Sequence, residues 1–323
     1  MTTEVSSSEP TTLDDLPANG FHSKLALISA GGPFCDGYIL GIIGIALPSI
    51  VRELHLTGAE TGLVGAAALL GVLAGGMLGG TVSDRLGRRP LFTLNIAAFV
   101  VFSLLQGTCS GLVLLVTLRF LLGVAVGADY PIATSYVAEF MPRKLRGPVL
   151  SGLILAWWVG YTASYAVGYG LSFFPDISWR IMLVSSAIPS IVLFCLRMGL
   201  PESPRWLVQQ GRTEDARNVI REHLKADILP SVEYQRHLSL LQIIRSPYRG
   251  ALVFVGAFWI LQSAPGFAIH TLHAQLLHQY HVQNALLGSL CITGLTILGI
   301  LPVTLGLINL MGRRLLLIGT FAI

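Results

Sequence analysis

The chain has 323 residues, of which 53% are hydrophobic and 12% are charged, and its formal net charge is +4 at pH 7. A soluble domain carries about 25% charged residues, so this chain has too little charge to cover a water-facing surface. The composition excludes an ordinary soluble protein, and the 21 basic residues lie at the ends of apolar runs instead of forming a nucleic-acid-binding face.

The N-terminal region is polar. Residues 1–20 lack the basic-then-apolar order of a signal peptide. We expect a disordered segment there and assign residues 1–24 as a cytoplasmic tail. All four cysteines fall inside apolar runs, without CxxC or Cys/His spacing. This pattern argues against disulfides and zinc, and we expect no metal or cofactor.

Eight apolar runs are long enough to cross the membrane, because a helix needs about 20 apolar residues to span the hydrocarbon. They cover approximately residues 25–50, 61–82, 91–110, 112–138, 149–173, 181–200, 251–276 and 285–308. A ninth run begins near Leu315 and stops at Ile323. We therefore expect that the chain ends inside a helix and is a fragment or truncated form of a longer protein.

The loop charges predict the orientation, because cytoplasmic loops carry an excess of lysine and arginine. The loops after even-numbered spans hold most of the basic residues: Arg85, Arg88, Arg89, Arg143, Lys144, Arg146, the stretch 205–249, Arg313 and Arg314. The other loops hold only Arg52 and Arg180. We predict a multi-pass protein of the inner (plasma) membrane with a cytoplasmic N-terminus.

A polar stretch at residues 201–248 divides the chain. Its mixed charges at helical spacing predict short amphipathic helices. We expect a six-helix bundle at 25–200, a cytoplasmic linker at 201–249, and a partial second bundle at 250–323 with two spans and the start of a third. The sequence SDRLGRRPL at 83–91 is repeated as INLMGRRLL at 308–316. A repeated loop after the second span of each half supports this division.

Several motifs in the expected order resemble the major facilitator superfamily. The chain contains Gly80-x-x-x-Asp84-Arg85-x-Gly87-Arg88-Arg89, which resembles the signature loop of this superfamily. It also contains Arg119-x-x-x-Gly123-x-x-x-Gly127, which resembles the arginine motif of the superfamily. Glu139-x-x-Pro142-x-x-x-Arg146-Gly147 and the run PESPRWL at 201–207 resemble the sugar-porter-type branch. The runs GPFCDGY at 32–38 and GADYP at 127–131 resemble bacterial metabolite–proton symporters, especially the inner-membrane metabolite transport proteins of enteric bacteria. The resemblance implies an all-α polytopic fold with a complete six-helix N-terminal bundle and a partial C-terminal bundle.

Departures from these motifs leave the substrate open. Asn309 stands where the second-half loop of the superfamily has an aspartate. Ala268 stands where sugar porters have an asparagine, and Ser263 where phosphate symporters have an aspartate. We favour an organic or aromatic acid as the substrate, with a sugar and phosphate as the alternatives.

Two acids and one arginine are candidates for proton coupling. Asp36 and Asp129 each lie about twelve residues, or roughly 18 Å, inside a span. An ionisable group at this depth is costly and is a functional candidate by default, and burial favours the neutral form of a carboxyl. The alternative is a structural hydrogen bond to a neighbouring helix. Arg119 lies roughly 15 Å from Asp129 on the same helix. It either tunes a carboxylate, attracts an anionic substrate, or bonds to backbone carbonyls.

Two further groups of residues are assigned from the pattern and the resemblance. Charged residues at the predicted cytoplasmic helix ends suggest a gating network, with interfacial anchoring as the alternative: Asp84, Arg85, Arg88, Arg89, Glu139, Arg146, Glu202 and Arg205. Trp157, Tyr161 and Tyr165 share one face of span five, next to Trp158. This face lines a substrate cavity or packs towards lipid. Span seven adds polar candidates for substrate binding: Gln262, His270 and His273.

The combined interpretation is a secondary active transporter, a proton symporter for a small organic metabolite that works by alternating access. The sequence contains no GxxxxGK(S/T) motif of an ATP-driven pump and no HExxH motif of a metalloprotease. We therefore expect no enzymatic activity. A non-transporting membrane sensor and an inactive truncation product are the alternatives. The expected partners are the substrate, protons and the lipid bilayer, with no nucleic acid, and we expect the full-length protein to be a monomer.

Overall fold

The computed structural model describes residues 12–174, 179–230, 247, 249–302 and 318, apart from the side chains of 264, 273–275 and 278. Every regular element in these ranges is helical, which confirms the predicted fold class. A 3₁₀ turn at Leu13–Asp15 precedes the helices α1 (Gly20–Leu54), α2 (Gly58–Leu86), α3 (Arg88–Gln106), α4 (Leu112–Phe140), α5 (Arg143–Leu171), α6 (Trp179–Val184), α7 (Ala187–Arg197), α8 (Pro204–Gln209), α9 (Thr213–Val219), a π-helical turn (Ile220–Leu224), α10 (Arg249–Gln279) and α11 (Ala285–Pro302).

Eight helical segments of the described chain are long and apolar enough to cross a membrane. They are α1 to α5, α6 together with α7, α10 and α11. The sixth segment is interrupted at Ser185 and Ser186. Pro189 follows the interruption, and a proline lacks an N–H and its ring crowds the carbonyl four residues earlier, which here is Ser185. Each of the eight predicted spans therefore contains a confirmed helical segment, the sixth consists of two helices, and residues 303–308 of the eighth lie outside the described ranges.

The first six spans pack side by side. Helix α1 packs mainly against α5, α2 against α4, and α3 against both α4 and α7. Helices α2, α4 and α7 end, and helices α3 and α5 begin, at the same end of this bundle. We call it the basic end. One buried apolar cluster lies on the basic side, with Phe92, Tyr136 and Phe140, and a second lies on the opposite side, with Ile50 and Trp179.

Glycines bring α2 and α4 into backbone contact. A Cβ placed on Gly75 would collide with the carbonyl oxygen of Val124, and one placed on Gly127 would collide with the carbonyl oxygen of Val72. Small residues allow this close approach in membrane helix pairs. The contact fixes α4 at the level of Asp129, two residues after Gly127.

The N-terminal segment is more ordered than predicted. Leu13 and Leu16 are buried against the bundle. The Asn19 side chain accepts hydrogen bonds from the N–H groups of Phe21 and His22 and caps α1, which begins at Gly20. The expectation of a disordered segment is therefore wrong for residues 12–19, because two leucines and a cap give this stretch local order. Residues 1–11 lie outside the described ranges.

The linker contains the predicted short amphipathic helices. In α8, α9 and the π-helical turn, one face is buried through Leu207, Ala216, Ile220 and Leu224. Residues 231–246 and 248 are outside the described part. The repeat at 308–316, with Asn309, Arg313 and Arg314, is also outside it, and so is the ninth apolar run except for residue 318.

Helices α10 and α11 approach the first six spans at the end opposite the basic end. Helix α10 contacts α1, where a Cβ on Gly44 would lie 3.0 Å from the carbonyl oxygen of Thr271. Helix α11 packs along α5. The first half of α10 is mostly exposed, from Arg249 to Gln262. Helix α10 therefore meets the bundle closely only in its second half.

Candidate functional site

The centre of the candidate site is a fully buried ion pair. Arg197, the last residue of α7, places Nη1 3.0 Å from Oδ1 of Asp129 in α4, and both side chains are 0% exposed. Charges with no access to water need partners, because an isolated buried charge costs far more than a buried polar group. The predicted candidate Asp129 thus has a cationic partner, supplied by a different helix.

Helix α3 holds both members of the pair. The amide Nδ2 of Asn95 donates to Asp129 Oδ1 over 3.1 Å, and Arg197 Nη1 donates to the Phe92 carbonyl over 2.7 Å. The guanidinium also lies over the Phe92 ring, 3.3 Å from its centroid. Cation–π contacts of this kind strengthen when they are desolvated. Arg197 is therefore fixed by an acid, a carbonyl and an aromatic face.

Helix α1 closes the site with a glycine and an acid. A Cβ on Gly32 would collide with Asp129 Oδ2 and with Arg197 Nη2, so only a glycine fits there. Asp36 lies one turn further along α1. It is 0% exposed, and neither of its carboxylate oxygens has a hydrogen-bond partner among the described residues. It interacts electrostatically with Asp129 and Arg197. We refer to Asp36, Asp129, Arg197 and Asn95 as the buried charge cluster.

Arg119 occupies a separate position. Its side chain is 1% exposed, and Nη1 donates to the carbonyl of Ile39 in α1 over 3.2 Å. This contact matches the structural alternative considered for Arg119, and its role in coupling stays a prediction. The arginine paired with Asp129 is Arg197, which sequence reasoning missed. The rule that selected Asp36 and Asp129 applies equally to Arg197, which stands inside the apolar run 181–200.

The aromatic face of α5 points into the protein. Tyr161 and Tyr165 are 2% and 1% exposed, so they do not face lipid. Both hydroxyls donate to the carbonyl of His270 in α10, over 2.8 and 3.2 Å. The Trp157 ring stacks on Tyr161 with 5.3 Å between centroids, and Trp158 meets the His270 ring edge-on at 5.1 Å.

This contact joins the six-span bundle to α10 and brings four of the predicted substrate-binding residues to one place. Gln262 is exposed, eight residues before His270 on the same helix. The side chain of His273 is not among those described. Substrate binding by these residues stays a prediction.

At the basic end, Glu202 caps the start of α3. Its Oε1 accepts hydrogen bonds from the backbone N–H groups of Arg88 at 3.0 Å, Arg89 at 3.1 Å and Ser203 at 2.8 Å. A carboxylate at a helix N-terminus is stabilised by the unpaired amides and by the helix dipole. Glu202 therefore ties the segment after α7 to the loop between α2 and α3.

The Arg88 side chain joins three helices of the basic end. It pairs with Asp84 on α2, and its Nη2 lies 3.2 Å from Oε1 of Glu139 on α4. Its Nη1 also donates to Ser83 Oγ over 3.1 Å. The structure brings together the predicted residues Asp84, Arg88, Glu139 and Glu202. It leaves Arg85 exposed, and it directs the Arg89 guanidinium to the carbonyl of Met198 at 3.5 Å.

The remaining two gating candidates share a partner that the sequence did not indicate. Arg146 and Arg205 both donate from Nη2 to Oδ1 of Asp14, over 2.6 and 2.7 Å. Asp14 lies in the segment predicted to be disordered. Its two contacts connect the N-terminal segment to α5 and α8. A gating role for any of these residues stays a prediction.

Comparison with known proteins decides the family. Residues 25–323 match the family described as "Sugar (and other) transporter". The chain belongs to this family. It is 37% identical over 312 residues to the metabolite transport protein YaaU of Escherichia coli (strain K12), covering 96% of this chain and 70% of YaaU. It is 34% identical over 319 residues to the inner membrane metabolite transport protein YgcS of the same organism, covering 97% of this chain and 71% of YgcS.

Solved structures of the xylose transporter XylE from Escherichia coli have the same fold as this member of the sugar (and other) transporter family. One, in a partially occluded inward-open conformation, matches with a TM-score of 0.73 and 23% identity over 86% of this chain and 69% of XylE. Another, described as a proton:xylose symporter of the major facilitator superfamily, matches with a TM-score of 0.59 and 25% identity over 63% of this chain and 50% of XylE. The superfamily predicted from the motifs is confirmed, and the protein is a multi-pass membrane transporter.

Proposed function

We propose that this transporter couples the uptake of a small organic metabolite to protons and works by alternating access. The observation that carries the proposal is the buried charge cluster inside the six-span bundle. In this cluster Asp36, an acid with no hydrogen-bond partner among the described residues, lies beside an ion pair. A carboxyl in such a place favours its neutral form and ionises when water or a cation reaches it. The description of XylE as a proton:xylose symporter supports the same coupling.

Contacts at the two ends support the alternating-access part of the proposal. At the basic end, Arg88 and Glu202 link helix ends through charged hydrogen bonds. At the opposite end, Tyr161 and Tyr165 link α5 to α10. Each set can stabilise the conformation in which its own end is closed, and a ligand shifts the balance only by binding the two conformations unequally.

The proposal includes an orientation and a division of the chain. We place the N-terminus and the basic end in the cytoplasm, because cytoplasmic loops are enriched in lysine and arginine. We keep the division into an N-terminal bundle at 25–200, a linker at 201–249 and part of a second bundle at 250–323. The names of YaaU and YgcS support the choice of a metabolite as substrate, and the name of YgcS supports an inner-membrane location.

For the substrate we propose an organic or aromatic acid. Trp157 and Trp158, whose rings meet edge-on, place two aromatic side chains of α5 next to the His270 ring of α10. Ala268, exposed on α10 two residues before His270, has no group that can hydrogen-bond a sugar hydroxyl. The alternative is a sugar, as in XylE, whose fold the chain shares.

The substrate class is tested by uptake into proteoliposomes that contain the complete encoded protein. Labelled benzoate, an aliphatic carboxylic acid, a hexose, a pentose and inorganic phosphate are compared with and without an imposed pH gradient. We expect gradient-dependent accumulation of a carboxylic acid and none of the sugars. Accumulation of the sugars alone contradicts the substrate class but leaves proton coupling in place.

Proton coupling is tested with Asp129→Asn, a change that mimics the protonated acid and cannot release a proton. We expect it to abolish gradient-driven accumulation while exchange of substrate across the membrane continues. The matched control is Asp215→Asn, which removes an exposed acid paired with Arg212 on the linker. Normal gradient-driven accumulation by Asp129→Asn would refute a coupling role for this residue.

A further inference from the structure

The chain that leads into α1 contacts both the six-span bundle and the linker. We call residues 12–22 the N-terminal strap. We propose that the strap binds a surface formed by the end of α4, the start of α5, α8 and the π-helical turn, and so holds the linker on the first bundle. The partner of this surface is thus a part of the same chain. The inference goes beyond the proposed function and depends on neither the substrate nor the coupling ion.

One carboxylate of the strap connects α5 of the bundle with α8 of the linker. Asp14 Oδ1 accepts from Nη2 of Arg146 over 2.6 Å and from Nη2 of Arg205 over 2.7 Å. Both arginines are partly shielded from water, and the Nε atom of each is buried. Two guanidinium groups that reach one oxygen atom repel each other, and the negative charge of Asp14 compensates this repulsion. The strap carboxylate is therefore what allows the two arginines to lie together.

Asn19 makes a second polar connection, at the other end of the strap. Its Oδ1 accepts from the N–H groups of Phe21 and His22 and caps the start of α1. Its Nδ2 donates over 2.9 Å to the carbonyl of His223, in the π-helical turn of the linker. The last carbonyl groups of a helical element have no partner inside that element. One side chain thus supplies an acceptor to the start of α1 and a donor to the end of the π-helical turn.

Apolar side chains of the strap lie between the bundle and the linker. Leu13 and Leu16 belong to the buried cluster of the basic side, which also contains the buried face of the π-helical turn. The Phe21 ring packs against Phe140 of α4 with 5.4 Å between centroids, and it stacks on the His223 ring with 4.9 Å between centroids. Removal of these groups from water favours the bound position of the strap.

The strap reaches a part of the linker beyond its direct attachment to the bundle. Near α8 the linker is held directly, because Glu202 caps α3 and the Trp206 indole donates to the Asp84 carbonyl over 3.1 Å. Further along the chain, α9 packs on α8, and the π-helical turn packs on α9. The strap adds its contacts at this distal part. Residues 201–224 therefore stay with the first bundle, and the joint that lets the two bundles move lies after Leu224.

Hydrogen exchange of the complete encoded protein in detergent tests this inference. Aspartate caps a helix as well as asparagine does, so Asn19→Asp preserves the start of α1 but removes the donor to the His223 carbonyl. Asp14→Asn weakens the contact with both arginines. We expect each variant to raise the exchange of amides 213–224 roughly twofold to tenfold, the effect of one lost hydrogen bond on local opening. Exchange in α3 and α4 should stay unchanged.

The matched control is Asp15→Asn, which alters an acid that accepts a hydrogen bond from Thr12 inside the strap. It should leave the exchange of amides 213–224 unchanged. Unchanged exchange of these amides in both Asn19→Asp and Asp14→Asn overturns the proposal, even where residues 12–19 exchange faster, because the strap then does not hold the linker. An equal rise in Asp15→Asn overturns it as well. If Asn19→Asp destabilises α1, Asp14→Asn decides the question.

Discussion

Replacing Gly75 by alanine should weaken the contact between α2 and α4 that positions Asp129. The added methyl group would collide with the carbonyl group of Val124, and it would also lie 3.0 Å from the backbone N of Ala128. Both obstacles are backbone atoms, which cannot rotate out of the way as a side chain can. The two helices must therefore move apart along the seam.

The magnitude follows from two opposing effects. Overpacking of a close contact costs about 1–3 kcal/mol, while alanine is favoured over glycine inside a helix by roughly 0.8–1.0 kcal/mol. The neighbouring substitution Gly76→Ala is a matched control. It has the same helix preference, but its methyl group meets only the Gly127 carbonyl at 3.7 Å, an ordinary contact distance. The difference between the two variants isolates the collision, at about 1–3 kcal/mol.

The assay is thermal unfolding of both variants in the same detergent, at the same heating rate, since such transitions are often irreversible. We expect the midpoint of Gly75→Ala to lie at least about 2 °C below that of Gly76→Ala. Gradient-driven uptake should fall in the same order, because displacement of α4 moves Asp129 relative to Arg197. Equal midpoints for the two variants would show that the helices are not in backbone contact at Gly75.

Three further predictions concern the basic end and the linker. Glu202→Gln should reduce the free energy of unfolding by about 0.5–2 kcal/mol, and so lower the unfolding midpoint, because a neutral amide replaces the carboxylate that caps α3. Asp14→Asn should increase hydrogen exchange in residues 12–19 through loss of its two arginine contacts, whereas Asp15→Asn, the control, should not. The hydrogen bond from Arg221 lowers the pKa of the Asp227 carboxyl in the folded protein. This pair therefore stabilises the linker fully at a pH above the ordinary carboxyl pKa of about 3.9. The stabilisation is lost as the pH falls through the lowered pKa of Asp227. Amide exchange in residues 220–227 should therefore rise only below about pH 4, and Asp227→Asn should remove that pH dependence.

The sequence determined the features that depend on local patterns. Runs of about 20 apolar residues must span the hydrocarbon as helices, because the backbone has no other hydrogen-bond partners there. The amphipathic helices of the linker follow from a periodicity of 3.6 residues. The pairing of Asp84 with Arg88 follows from their separation by four residues, which places both on one helix face. The Glu139 contact of Arg88 was anticipated only through the resemblance of the motifs to a known superfamily.

Tertiary structure alone decided the partners that lie far apart in the chain. Asp129 and Arg197 are 68 residues apart, and they meet because α7 packs beside α3 and because Gly32 leaves room for both side chains. Asp14 is 132 residues from Arg146 and reaches it because two buried leucines hold the N-terminal segment against the bundle. The sequence marks an ionisable residue in an apolar run as costly, but the identity of its partner depends on which helices are neighbours and on their rotation about their axes. These are set by packing over the whole bundle, and a local pattern does not encode them.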